Sequence, residues 1–514
     1  MIEFKRMKLK LFTLTVISLF AAQTWAQTLL YNDGAIVKIQ AGATLYVEGG
    51  VHNTAAGTID NDGTLEVKGN LTNLGTWDPT GANTLKFSGN ANSDVTSGTA
   101  LFHTVVVQKD ATFNVNLLDN MTVNNNLDFN AAGSTRVTTD NFDLKLGTAA
   151  TVTGYDSDEY VATTGTGMMQ KDVTGAGTFE FPIGDLTNYS PLSSTHSGTY
   201  GAAANIRARV NDLTHPNKPS DASDFISRYW DVNATDITGS YLNTLTGTYI
   251  PADVTGTASL VKGAVYDGTV WSYDAAAAGT NTVTGSTNDL AADFTGTNFF
   301  GKVNILAFLQ GPYQTGSMTM TTSLNTAGLI PLTSPYDASI SVASIPANVT
   351  DWVKIELRDA TTPSTILGTG SAFIKNDGSI VGLDGTSLPT VKNGNASSIV
   401  AIGHRNHLPF RTNVGLDVVN PTLEDFTNTN PKLYDNGTGN APLNTLSGRL
   451  AMWSCDVSGT TFLLNSADVL VAKQLTATPF TGYSRADVNL NTLGNSADVL
   501  ITKQLTAVPK SADL

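Results

Sequence analysis

The first half of the chain is written in short phrases that alternate apolar and polar residues between Gly, Asn and Asp turns. "GATLYVEGG" from Gly42, "GTLEVKGN" from Gly63 and "NTLKFSGN" from Asn83 are three of them. Leu45 and Val47, Leu65 and Val67, and Leu85 and Phe87 each sit two apart, the period of a half-buried strand. Thr44, Thr64 and Thr84 recur every twenty residues, as do the three leucines. Such a repeat predicts stacked coils whose apolar face is buried only on neighbouring coils. Residues 27–165 are therefore expected to form a parallel β-helix or β-roll, with Leu45, Leu65 and Leu85 inward on successive rungs. A meandering antiparallel sandwich is the alternative.

Two further β segments follow. "GTFEFPIGD", "NIRARV" and "SRYWDVN" predict a β-sandwich over 166–303. In "TDWVKIELRD", Val353, Ile355 and Leu357 face one way and Lys354, Glu356 and Arg358 the other. Asn376-Asp377-Gly378 is a hairpin signal between apolar runs. A second sandwich is expected over 304–449.

The period changes at the end. "NSADVLVAKQLTATP" at 465–479 and "NSADVLITKQLTAVP" at 495–509 are two helix-like copies thirty residues apart. Ser496 is a candidate N-cap with Asp498 in the first turn, and Ala497, Ile501 and Leu505 fall on one face. Ahead of the second copy, oxygen-bearing residues occupy alternate places. With Asp487 as position 1, Asn489, Asn491, Leu493 (through its carbonyl), Asn495 and Asp498 fall at 3, 5, 7, 9 and 12. Calcium takes six to eight oxygens from that spacing. The first copy offers Asp456, Ser458, Thr460 and Asp468, with one residue too many in the loop. A metal-free helical hairpin is the plainer reading of both copies. Residues 450–514 form the fourth expected segment.

The N-terminus places the chain. Lys5, Arg6, Lys8 and Lys10 precede an apolar run from Leu11 to Ala22, and Thr24-Trp25-Ala26 marks a cut before Gln27. This reads as a secretory signal, residues 1–26, with no later span long enough to cross a membrane. Removing it leaves 25 Lys and Arg against 43 Asp and Glu, a net charge of −18. A surface so acidic repels phosphate backbones and argues against nucleic-acid binding. Cys455 is the only cysteine, so no disulfide within the chain is available.

"GTFEFPIGD…YSPL" with "SRYWDV" resembles a module of secreted Bacteroidota-type surface proteins. "LQGPY…DWVKIELRD…NDGSIVGLDG…GHRNHL" is similar to another module of such proteins. The duplicated ending resembles a dockerin, whose two loop–helix segments carry D-x-N-x-D-G-x-x-N-S-x-D. Asp487, Asn489, Asn495, Ser496 and Asp498 keep that run, and Lys503 keeps its later basic residue. Thr492 stands where the loop glycine belongs, and Asn491 replaces an aspartate. The resemblance implies calcium and a cohesin-like partner held by Ser466, Lys473, Ser496 and Lys503, with docking inside the chain as the other outcome.

Catalytic signals are sparse. His404 and His407 in "HRNH" are three apart in a strand-to-turn context with no glutamate between, unlike a zincin pair. No G-x-S-x-G elbow, P-loop or cysteine cluster occurs. The expectation is a non-catalytic, secreted surface or adhesin-like protein with a polysaccharide or cell-surface ligand. The alternative is a carbohydrate-active enzyme working in a β-helix groove.

Overall fold

The computed structural model describes residues 29–512, apart from 79–80, 111, 131–132, 221, 274–278, 436, 438–441, 460–461 and 509. The expected export signal lies outside the described residues. The chain is mainly β, with 49% strand and 6% helix, and residues 30–184 form a β-solenoid of about 7 turns. The solenoid thus runs past residue 165, where its end was expected.

The first rung supplies strands Leu30–Asn32, Ile36–Ile39 and Thr44–Val47, one to each of three parallel sheets. Leu45 pairs with Leu65 and Leu65 with Leu85 in register, and the column continues through Val105 and Leu127. Leu65 and Leu85 are fully buried, but Leu45 is only partly so. The difference is positional, because the first rung has a neighbour on one side alone. A polar column also runs inside. Asn32 donates to the Asn53 side chain at 2.8 Å, and Asn53 donates to that of Asn73 at 2.8 Å. Identical side chains stacked at the strand spacing satisfy one another, which keeps buried amides affordable.

Beyond the solenoid its largest sheet simply continues. Met169–Asp172 pairs antiparallel with Leu192–Asn211, which pairs with Phe225–Thr248. One apolar core accordingly runs from Ile39 to Phe294. Buried Arg228 ties this region together, reaching Asp185 (2.8 Å), Asp212 (2.9 Å) and Asp253 (2.7 Å).

A second core spans Phe299 to Leu490 around the strand Val349–Asp359. Its apolar face carries Val353, Ile355 and Leu357, yet Glu356 and Arg358 on the opposite face are buried too. Arg358 and Lys354 both bond Glu356 (2.5 and 2.7 Å), so charge pairing permits that burial. The Asn376–Gly378 hairpin forms, with Gly378 at φ 89° joining Ile366–Lys375 to Ile380–Val381.

Helices Ser466–Leu475 and Ser496–Leu505 build the C-terminal module. Leu463–Leu464, before the first helix, pairs with Lys510–Ser511 after the second. Phe480–Thr481, after the first, pairs with Leu493–Gly494 before the second. A shift of thirty residues converts one pair into the other, so the sequence duplication is a structural two-fold.

Candidate metal centre in the C-terminal module

Each loop is folded around two buried carboxylates. Asp487 accepts the backbone N–H groups of Asn491 (3.0 Å) and Thr492 (2.9 Å). Asp498 accepts those of Val488 and Asn495, both at 3.0 Å. Asn489 and Asn491 turn their side-chain oxygens onto the N–H groups of Asn491 (3.2 Å) and Leu493 (2.9 Å). These short bonds curl the chain so that the oxygens at positions 1, 3, 5 and 12 belong to one loop.

The helix cap is one residue earlier than expected. Asn495, not Ser496, is the N-cap, its side chain accepting from Ala497 N–H at 2.7 Å. Asp498 is then at N3 and bonds the Asn495 N–H in return, a capping box that Ser496 is too close to make. This role occupies the Asn495 side chain. The buried face correspondingly passes through Asp498 and Thr502, whereas Ala497, expected inward, is exposed.

The first loop repeats the pattern with a changed register. Asp468 accepts from Ser458 N–H (2.8 Å) and Asn465 N–H (2.9 Å), the counterparts of Val488 and Asn495. The extra residue is therefore absorbed between Asp456 and Ser458. That puts Gly459, rather than Ser458, opposite Asn489, so position 3 has no side-chain oxygen. Asp456 accepts from Gly459 N–H at 3.1 Å. Thr460 lies outside the described residues.

Electrostatics single out these acids. Burial, then the nearby Asp468 charge, pushes Asp456 up to about 6. Burial likewise pushes Asp487 up to about 6, against the two N–H groups it accepts. Asp498 is raised by burial as well. Among the described residues none of the four acids is in a salt bridge. Nor do three or more His, Cys, Asp or Glu side chains converge as a metal group there. A cation in the second loop would be held by Asp487 and Asp498, with Asn489, Asn491 and the Leu493 carbonyl as neutral oxygens. That all-oxygen, two-carboxylate donor set fits calcium and not a metal that prefers sulfur or imidazole.

The module is seated on the preceding β module through a buried polar joint. Asp351 accepts from His404 Nε2 (3.1 Å), Arg405 Nε (3.0 Å) and the Tyr483 hydroxyl (2.8 Å). Burial opposes its ionisation, but the Arg405 charge and these bonds outweigh it and hold the carboxyl at about 2. Arg405 also donates to the Ser484 carbonyl and covers the Tyr483 ring at 4.2 Å. Gly311 approaches so closely that a Cβ there would lie 1.9 Å from the Val488 carbonyl oxygen. His407 Nε2 accepts from Gly311 N–H (3.2 Å), leaving its proton on Nδ1 between His404 Nδ1 (3.0 Å) and Asn406 Oδ1 (2.8 Å). Burial lowers both histidines, so the HRNH pair is a neutral hydrogen-bonding element of the joint. No sequence signal tied Asp351 to this pair.

A carboxylate couple lies elsewhere among the described residues. Asp231 and Asp293 are paired across adjacent strands, with Arg209 on the first and His215 on the second (2.9 Å). In comparisons with known proteins, no family model, curated protein or solved structure matches the chain.

Proposed function

We propose that the chain is a non-catalytic, exported surface or adhesin-like protein. In this reading the solenoid and its continued sheet are a spacer, and the dockerin-like module is braced on the preceding β module with calcium. The observation that carries it is the pair of buried, unpaired carboxylates in each C-terminal loop, two of them near pKa 6. The Arg485 and Arg405 charges lower Asp456 and Asp487 but do not offset their burial, and a divalent cation would supply a closer counter-charge. Ser466, Leu470 and Lys473 on one helix and Ser496, Leu500 and Lys503 on the other are exposed at matching places. Those twin faces favour a cohesin-like or cell-surface partner. The Asp231–Asp293 couple is in contact, whereas glycosidases separate their carboxyls by about 5–5.5 or 6.5–9.5 Å, which weighs against hydrolysis there.

The test is a calcium titration of the full chain followed by melting. Calcium, at concentrations where magnesium does little, is expected to raise the melting temperature. Melting indifferent to calcium refutes the metal brace. Incubation with a polysaccharide panel is expected to leave every substrate intact. Cleavage that survives repurification and disappears in Asp231→Asn refutes the non-catalytic reading.

A further inference from the structure

The solenoid begins on a rung that nothing described covers. Leu30–Asn32, Ile36–Ile39 and Thr44–Val47 each pair on one side only, with Val51–Asn53, Thr58–Asn61 and Thr64–Val67. Among the described residues, three strand edges therefore have no partner around one cross-section. The outward positions also change character there. Where the second rung carries His52, Thr58 and Glu66, the first carries Tyr31, Ile36 and Tyr46, exposed by 58%, 72% and 44%. Inward-facing Leu30 and Leu45 remain only partly buried.

Exposed edge strands are normally guarded by charge, proline or a bulge. Here the rung's charges are turned away from the opening. Lys38 bonds Asp60 (2.7 Å), Glu48 bonds Lys68 (3.0 Å) and Asp33 accepts from the Thr54 hydroxyl (3.1 Å), all toward the second rung. None of the three strands contains proline.

We infer that this open rung is a self-association surface, on which two copies of the chain meet head to head about a two-fold axis. A single strand from an unrelated partner covers one edge of three. About that axis one edge meets its own copy and the other two exchange, all running in the opposite sense, so that each edge gains an antiparallel partner. Inward residues then meet inward residues, and the core continues through the joint. Head-to-tail stacking lacks this match. The sheet begun by Ile36–Ile39 ends at Thr76–Trp77, and the one begun by Thr44–Val47 runs on into Leu192–Asn211. Residues 29–48 give about twenty residues a side, the lower end of specific interfaces. The inference rests on the proposed export, since a cut before Gln27 leaves three residues ahead of Leu30, too few for a covering rung.

The test takes the full chain starting at Gln27, so that it does not depend on processing. Light scattering at micromolar concentration is expected to give twice the chain mass, with or without calcium. Ile36→Lys combined with Tyr46→Lys is expected to halve that mass while the far-ultraviolet circular dichroism spectrum stays that of the parent. Hydrogen exchange should show the edge amides of residues 30–47 protected in the parent and released in the variant. A parent of single-chain mass overturns the inference, as does a two-chain mass that survives in the variant. Should the double variant lose that spectrum, Tyr31→Lys on the third edge replaces it, and unprotected edge amides in the parent overturn the inference by themselves.

Discussion

Asn406 donates its side-chain amide to the backbone carbonyl of Asp487 at 2.8 Å, across the joint between the β module and the second C-terminal loop. The same amide reaches the Arg485 carbonyl at 3.0 Å. The residue that begins the candidate metal loop is thus positioned by a side chain 81 residues earlier. Asn406→Ala leaves both carbonyls without that donor, at roughly 1–3 kcal/mol for each buried group. Chemical denaturation of the full chain is expected to show a loss of about 2–6 kcal/mol, and half-maximal calcium stabilisation should move to higher calcium.

In the proposed calcium-braced form, calcium and protons would compete for the same carboxylates. Asp456 and Asp487 titrate near 6 in the folded chain, above the ordinary aspartate value of 3.8. A raised folded pKa means that the metal-free fold binds protons more tightly than the unfolded chain. Its contribution to stability is full below the unfolded value and is lost as pH rises through about 6. Calcium bound as proposed would restore the loss by favouring the charged form. The melting-temperature gap between calcium-loaded and chelator-treated protein should be widest at neutral pH and should close as the pH falls below that titration. At millimolar calcium the gap corresponds to about 1–2 kcal/mol for a site of Kd near 10⁻⁴ M. Asp487→Ala is expected to abolish it, while Asp456→Ala, in the loop with a glycine at position 3, should leave most of it.

Thr492 holds φ at 82°, a left-handed conformation that a β-branched residue adopts at a cost. Its thirty-residue counterpart Phe462 is also left-handed, at 46°, so the loop demands this geometry in both copies. Thr492→Gly removes the clash and should stabilise the full chain by about 1 kcal/mol, with tighter calcium binding. Thermal melting with and without calcium checks both effects.

Leu65 and Leu45 occupy equivalent ladder positions but bury different amounts of surface. Leu65→Ala is expected to cost about 2–5 kcal/mol, as for a fully enclosed leucine. Leu45→Ala should cost less in a single-chain particle, since the atoms removed are already partly in water. Paired urea titrations distinguish the two.

Much of this was legible because it is periodic. The two-residue alternation and the twenty-residue recurrence of Thr44, Thr64 and Thr84 directly encode strand and rung register. The thirty-residue duplication likewise encodes the C-terminal two-fold. Burial was less legible. Leu45 repeats Leu65 in sequence, but the missing neighbour belongs to the stack and not to the repeat. The helix face was misplaced by one residue, because two polar residues, Asp498 and Thr502, form the inward stripe that Ala497 was expected to share. Contacts between distant segments left no mark at all. Nothing around Arg228 announces Asp185, Asp212 and Asp253, and nothing in HRNH announces Asp351.

Asp351 supplies the last prediction, because three donors from two segments depend on it. Removing it leaves the Arg405 guanidinium in a buried site without its counter-charge, a change that typically costs about 3–5 kcal/mol. Asp351→Ala should therefore destabilise the full chain by that order. Asp351→Asn keeps the shape and an acceptor oxygen but not the charge, and should recover only part of the loss. The acid limb follows from the same group. Its folded pKa of about 2 lies below the ordinary aspartate value of 3.8, so its stabilisation is present above 3.8 and is lost as pH falls toward 2. In the parent, acid unfolding should steepen once the pH drops below 3.8, whereas in Asp351→Asn this component should be absent. Intrinsic fluorescence, followed through an acid titration of both proteins, separates the two cases. An identical acid limb in the variant would mean that Asp351 does not carry the joint.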